Sequence, residues 1–323
     1  MDIGMIEAAA GRLQGVALRT PLLNSPFLDR IAGRRVWVKA ECLQHTGSFK
    51  LRGGWSAVSA LPIPQRARGV IAISSGNHAQ GVAFAASRHA APCVIVMPSD
   101  APRLKIDNTR AYGAEVVLYD RATGDREAIG AALAEERGLT MIRPYDEPQV
   151  IAGQGTVGLE IAAQAAEHGV SRAQVLVPCG GGGLTSGIAL ALEARAPGLK
   201  ARPVEPVGFD DARRSLASGR IERNTRTTGS ICDSIVTPAP GELTFPIMAR
   251  LCAPGLAITD DEAMAAMALA FARLHVVIEP GGAAALAAAL FHPDEIEGDD
   301  VIVVASGGNV DPALFSRALE RFG

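Results

Sequence analysis

The sequence predicts an α/β protein in which parallel sheets carry helices on both faces. Three observations predict it. Short runs rich in β-branched residues recur along the chain, a Gly, Ser or Pro break follows each, and an Ala-rich stretch of helical character comes next. The runs lie at 36–38, 70–73, 94–97, 115–118, 175–177 and 301–304. One helix start is explicit: Thr259-Asp260-Asp261-Glu262 reads as a capping box ahead of a helix over 263–274. The units fall into two groups, a small domain over 53–145 and a large one built from 1–52 with 146–323. No internal repeat, low-complexity tract or long linker interrupts them.

Composition narrows the function. A chain of 323 residues exceeds one small core, and 48% hydrophobic with 4% aromatic residues implies a core of Ala, Val, Leu and Ile. Lys and Arg number 31 against 34 Asp and Glu, so neither nucleic acid nor an anionic membrane is an expected partner. A small molecule is. Cys42, Cys93, Cys179, Cys232 and Cys252 form no C-x-x-C pair, which argues against a disulfide framework or zinc knuckle. The N-terminus lacks a basic region before an apolar core, and the longest apolar stretch, near 283–291, is too short to span a bilayer. A cytoplasmic setting is expected.

Four segments have the form of strand-to-helix loops at the carboxyl ends of strands, where α/β proteins bind ligands. In Thr46-Gly47-Ser48-Phe49-Lys50 a lysine stands at a helix start, where the dipole disfavours its charge and lowers its pKa; read alone, it is a surface loop lysine. Ser74-Ser75-Gly76-Asn77-His78 offers hydroxyls and backbone N–H groups to a carboxylate, and His78 lacks the partners of a catalytic triad. Gly180-Gly181-Gly182-Gly183-Leu184 lets the backbone wrap a phosphate without matching a Walker A or dinucleotide fingerprint. Ser306-Gly307-Gly308-Asn309 supplies a hydroxyl able to meet a ring nitrogen without protonating it.

Together, with Ile278-Glu279-Pro280 between the last two, these segments resemble the fold-type II pyridoxal-phosphate enzymes, in particular the threonine/serine dehydratase and serine racemase family. Hydroxyaspartate and hydroxyectoine-utilisation dehydratases are similar too. The resemblance runs from about Thr20 to Asp311 and includes Ile151-Ala152-Gly153-Gln154-Gly155-Thr156. It implies a tryptophan-synthase-β-like fold of two parallel-sheet, three-layer domains, and a pyridoxal 5'-phosphate-dependent ammonia-lyase acting on a 3-hydroxy amino acid. Lys50 would carry the cofactor as a Schiff base, Phe49 would pack beside the ring, and Asn77 would bond its hydroxyl. Gly180, Gly181, Gly182, Gly183 and Leu184 would hold the phosphate, with Glu279 and Ser306 completing the cofactor site. Ser74, Ser75, Asn77 and His78 would bind the substrate carboxylate. Ser75 also stands where racemases of the family place a second acid/base, so an amino-acid racemase is the alternative. A catalytically inactive pyridoxal-phosphate or amino-acid-binding protein is more remote, because Lys50 and the glycines are present.

Further expectations follow from the resemblance. Glu205, the Phe209 carbonyl and Asp211 match the spacing of a divalent cation site for Mg²⁺ or Ca²⁺, against the plainer reading of an acidic loop. Arg126 falls where an arginine would reach a substrate carboxylate, although a solvent-facing arginine on an Ala-rich helix is the preferred reading there. Gly54-Trp55, Tyr145 and Ser234 depart from the family pattern and count against L-threonine itself as the substrate; Ser234, near the cofactor in that fold, implies a different side-chain pocket. Relatives of this kind are usually homodimers. With Gly323 closely following the last motif, no regulatory domain and a catabolic role are expected.

Overall fold

The computed structural model describes residues 1–101, 103–120 and 123–323. Its strands are β1 (Leu22–Asn24), β2 (Arg35–Lys39), β3 (Val70–Ile73), β4 (Cys93–Pro98), β5 (Glu115–Tyr119), β6 (Thr140–Met141), β7 (Ala173–Pro178), β8 (Leu199–Pro206), β9 (Leu256–Ile258) and β10 (Asp300–Val304). The helices begin with α1 (Ile3–Leu13), α2 (Pro26–Ala32), α3 (Lys50–Ala60), α4 (Ile63–Arg68), α5 (Asn77–Arg88), α6 (Arg103–Ala111) and α7 (Arg126–Arg137). They continue with α8 (Pro148–Glu167), α9 (Gly183–Arg195), α10 (Asp211–Ser218), α11 (Thr244–Leu251), α12 (Asp260–Leu274), α13 (Pro280–Phe291) and α14 (Pro312–Phe322).

Two sheets result. The larger has the order β1-β2-β10-β7-β8-β9 and the smaller β5-β4-β3-β6. Every pairing is parallel except β1 with β2, so the larger sheet is mixed at one edge rather than wholly parallel. The connection 25–34, which holds the short α2, falls below the dozen or so residues a parallel crossover needs, and antiparallel pairing suits it.

Alternation along the buried strands explains the layers. Val301 and Val303 of β10 join Val36, Val38 and the α13 alanines on one face, while Ile302 and Val304 meet Val175, Val177, Ile161 and Ile188 on the other. The small sheet repeats the device, Ile95 and Met97 facing α3 and α5 and Val94 and Val96 facing Ile129 and Leu133 of α7. The capping box is present as expected: Glu262 N–H donates to Thr259 Oγ1 at 3.2 Å, and Thr259 N–H to Glu262 Oε2 at 2.7 Å. Among the described residues no helix is long and apolar enough to cross a membrane.

Candidate active site

The carboxyl ends of β3, β7 and β10 deliver three of the loops singled out by sequence, and α3 delivers the fourth. Lys50 opens α3, and its Nζ donates to the Pro144 carbonyl at 2.7 Å, 5.3 Å from the Phe49 ring centroid. Burial lowers the Lys50 pKa to about 8, and Glu279 pulls it the other way. Desolvation thus achieves what the sequence ascribes to the helix dipole. The Lys50 segment is seamed to the loop after β10: Ser48 bridges Gly307, and Phe49 N–H donates to the Ser306 carbonyl at 3.1 Å. Ser306 is buried in that seam.

Asn77 is held from both sides. Its Nδ2 donates to Glu279 Oε1 at 2.6 Å, and its Oδ1 accepts from Asn309 Nδ2 at 2.7 Å, which also donates to the Thr46 carbonyl at 2.8 Å. Asn309, the last residue of the fourth motif, thus fixes the orientation of Asn77, a role its sequence position alone does not reveal. Glu279 is buried at the start of α13, and burial raises its pKa to about 7 against the pull of Lys105 and the hydrogen bonds from Asn77 and Ser234. Ser234, a departure from the family pattern, therefore touches the carboxyl that holds Asn77.

The glycine loop satisfies a steric and a polar requirement at once. A Cβ on Gly181 would lie 2.2 Å from the Tyr145 ring, and Gly182, at φ +90°, has Met248 Cε 2.7 Å from where its Cβ would stand. Thr244 Oγ1 and Gly241 N–H both donate to the Gly181 carbonyl, at 2.6 and 3.1 Å, bracing the turn. The backbone N–H groups from Gly180 to Thr185 take no backbone acceptor among the described residues, and the buried Thr185 hydroxyl, near the Cys179 thiol, makes no well-formed hydrogen bond. Unpaired donors at the start of α9 fit an anion such as a phosphate. Pro144 and Tyr145 link the two halves, one accepting from Lys50 and the other covering Gly181.

The remaining expected residues divide. Ser74 and Ser75 lie half-buried before α5, with Ser74 Oγ accepting from Gly76 N–H at 3.3 Å. His78 points into the protein: its Nε2 faces the Ile142 carbonyl at 2.9 Å, and burial with the nearby Lys50 charge lowers its pKa to about 3. It is a neutral imidazole behind the loop. Arg126 is exposed on the first turn of α7, 3.5 Å from Glu127, and its charge reaches Tyr145. Trp55 Nε1 donates to the Arg12 carbonyl of α1 at 2.7 Å, and its ring packs on His89.

Near the end of β8, Glu205 accepts Ala212 N–H and Arg213 N–H at 2.8 and 2.7 Å, so its carboxylate caps α10. Asp211 Oδ1 accepts from Asn224, while Oδ2 is buried without a partner. Burial raises Glu205 well above the usual carboxylate range and Asp211 to about 7. Among the described residues no group of three or more His, Cys, Asp or Glu is gathered for a metal, so a cation there would rest on these two carboxylates and the Phe209 carbonyl.

Comparison with known proteins converges on one family. Residues 13–307 match the family described as pyridoxal-phosphate dependent enzyme. An L-threo-3-hydroxyaspartate ammonia-lyase of a Pseudomonas species is 43% identical over 312 residues, covering 97% of this chain and 96% of its own. A serine racemase of Dictyostelium discoideum is 37% identical, covering 97% and 96%. The crystal structure of a threonine deaminase from T.th. superposes with a TM-score of 0.91 at 44% identity, covering 96% of this chain and 99% of that one.

Proposed function

The chain belongs to the pyridoxal-phosphate dependent enzymes, and on that premise we propose that it is an ammonia-lyase converting a 3-hydroxy amino acid to a 2-oxo acid and ammonia. L-threo-3-hydroxyaspartate is the first candidate substrate, since that is the substrate named for a relative of near full-length coverage. The observation that carries the reading is the pairing of a lysine amine, lowered to about pKa 8, with a glycine cradle whose N–H groups lack backbone acceptors among the described residues.

Bound there, the cofactor supplies an electron sink that makes a substrate Cα–H acidic. Everything else falls to the chain. Lys50 Nζ would carry the cofactor and take the Cα proton, and Gly180, Gly181, Gly182, Gly183 and Leu184 would hold the phosphate. Asn77, locked by Glu279 and Asn309, would address the ring hydroxyl, and Ser306 the ring nitrogen. Ser74, Ser75 and the N–H groups at the start of α5 bind the substrate carboxylate, with His78 backing the loop as a neutral group. Arg126, at the α7 start near Tyr145, is available to a second carboxylate.

Glu205, Asp211 and the Phe209 carbonyl form, in the same proposal, a structural Mg²⁺ or Ca²⁺ site: hard oxygen ligands, with one buried oxygen awaiting a partner. The proposal also takes residues 53–145 as a small domain, and the enzyme as a cytoplasmic homodimer. Racemisation is the second reading, favoured by the presence of Ser75 in the loop between β3 and α5 and by the serine racemase relative.

Product analysis tests the proposal. Protein loaded with pyridoxal phosphate is expected to release 2-oxo acid from L-threo-3-hydroxyaspartate faster than from L-threonine or L-serine. Accumulation of D-amino acid without oxo acid would replace elimination by racemisation.

A further inference from the structure

Outside the residues that would touch cofactor or substrate lies a buried ionic cluster with every charge matched. Arg52, 1% exposed, donates from Nε and Nη2 to both Glu41 oxygens at 2.8 Å. Its Nη1 and Nη2 reach both Glu160 oxygens at 2.7 and 3.0 Å, and further donations go to Thr156 Oγ1 and the Leu18 carbonyl at 3.2 and 3.1 Å. Lys39 supplies the second cation, donating to Glu160 Oε2 at 2.5 Å and to Gln164 Oε1 at 2.9 Å. A buried network of this kind rarely adds net stability over an apolar core, but it fixes geometry, because every member accepts one arrangement only.

What it fixes is the first turn of α3. Arg52 sits two residues beyond Lys50 and clamps that turn to α8 through Thr156 and Glu160. The same helices touch backbone to backbone: a Cβ on Gly153 would lie 2.4 Å from the Arg52 carbonyl oxygen. From α8 the contact passes to α9, where a Cβ on Gly187 would lie 2.5 Å from the Ile151 carbonyl oxygen and 2.6 Å from Gly155 N. Thus the helix that begins at Lys50 and the helix that begins at the glycine cradle are held at one spacing, with a single helix between them. A ligand whose aldehyde and phosphate lie a set distance apart demands that spacing.

We infer that Arg52, with Glu41 and Glu160, is a positioning residue that sets Lys50 Nζ at the correct distance from the phosphate cradle. The inference rests on the cofactor reading above. It makes the two anchor points of the cofactor additive in the wild type and uncoupled when the clamp is loosened, since linking two binding events helps only if geometry permits both.

The test compares pyridoxal phosphate with pyridoxal, which keeps the aldehyde and lacks the phosphate. Dissociation constants for both are measured by Schiff-base absorbance in the wild type, Arg52→Lys and Glu160→Gln, well below each variant's melting temperature. The lysine variant cannot reproduce the bidentate fork, and the glutamine variant keeps volume while losing charge. The wild-type preference for pyridoxal phosphate is expected to fall by about tenfold or more in both variants, with pyridoxal affinity nearly unchanged. An unchanged preference in a folded variant overturns the inference and leaves Arg52 a purely structural group. Should Arg52→Lys fail to fold, Glu160→Gln alone decides. Failure of the wild type to bind pyridoxal phosphate at all would instead remove the cofactor reading beneath it.

Discussion

Lys50 gains its chemical character from position. An ordinary lysine near 10.5 is neutral in roughly one molecule in 300 at pH 8, whereas one lowered to about 8 is half neutral there. The second-order rate of Schiff-base formation with added pyridoxal phosphate is therefore expected to rise from pH 6.5 through about 8 and then level off, followed by absorbance in stopped flow. A rise continuing past pH 10 would show an amine that is not desolvated. Among single residues the sequence revealed identities better than directions. The Lys50 segment and Ser306 are joined through Phe49 N–H, and Asn77 is bonded to Glu279, because each belongs to a loop whose backbone path is tied to a strand or helix end. The inward turn of His78 toward Ile142, the partnering of Asn77 by Asn309 and the diversion of Trp55 toward Arg12 depend on segments 43 to 232 residues away. No local pattern encodes such contacts.

At the scale of elements, legibility follows burial chemistry. Strands with β-branched runs announced themselves, and so did the α12 cap, whose signal is confined to four residues. β8 did not. Its sequence, Leu-Lys-Ala-Arg-Pro-Val-Glu-Pro, carries one β-branched residue among charges and prolines, yet it pairs with both β7 and β9. Tertiary partners make that possible: Arg202 donates to the Pro254 and Glu295 carbonyls and to Gln174 Oε1, and Glu205 caps the next helix. The short β1, β6 and β9 carry too few residues for a period to show. The glycines of α3, α8 and α9 illustrate the opposite case. In sequence they weaken a helix by about 1 kcal/mol each, and only the assembled structure shows that helices approach where they lie.

For the whole molecule, the large sheet holds the glycine cradle, Ser306 and the acidic pair at the end of β8 and the start of α10, while the small sheet presents the Ser74–Asn77 loop toward them. The acidic pair gives a prediction at this scale. Asp211 and Glu205 are buried close enough to repel, and the proposed Mg²⁺ or Ca²⁺ bound between them would stabilise the fold by mass action. Millimolar cation is expected to raise the melting temperature by a few degrees in the wild type and not in Asp211→Asn, read by differential scanning fluorimetry. Equal shifts in both would place the cation elsewhere.

One lysine must meet one cradle for all of this to hold, and borohydride reduction of the protein loaded with pyridoxal phosphate, followed by peptide mass spectrometry, tests that directly. The cofactor is expected on the peptide carrying Lys50, with no such adduct in Lys50→Ala. Attachment at Lys39 or Lys105 instead, or equal labelling in the variant, would contradict the site described above.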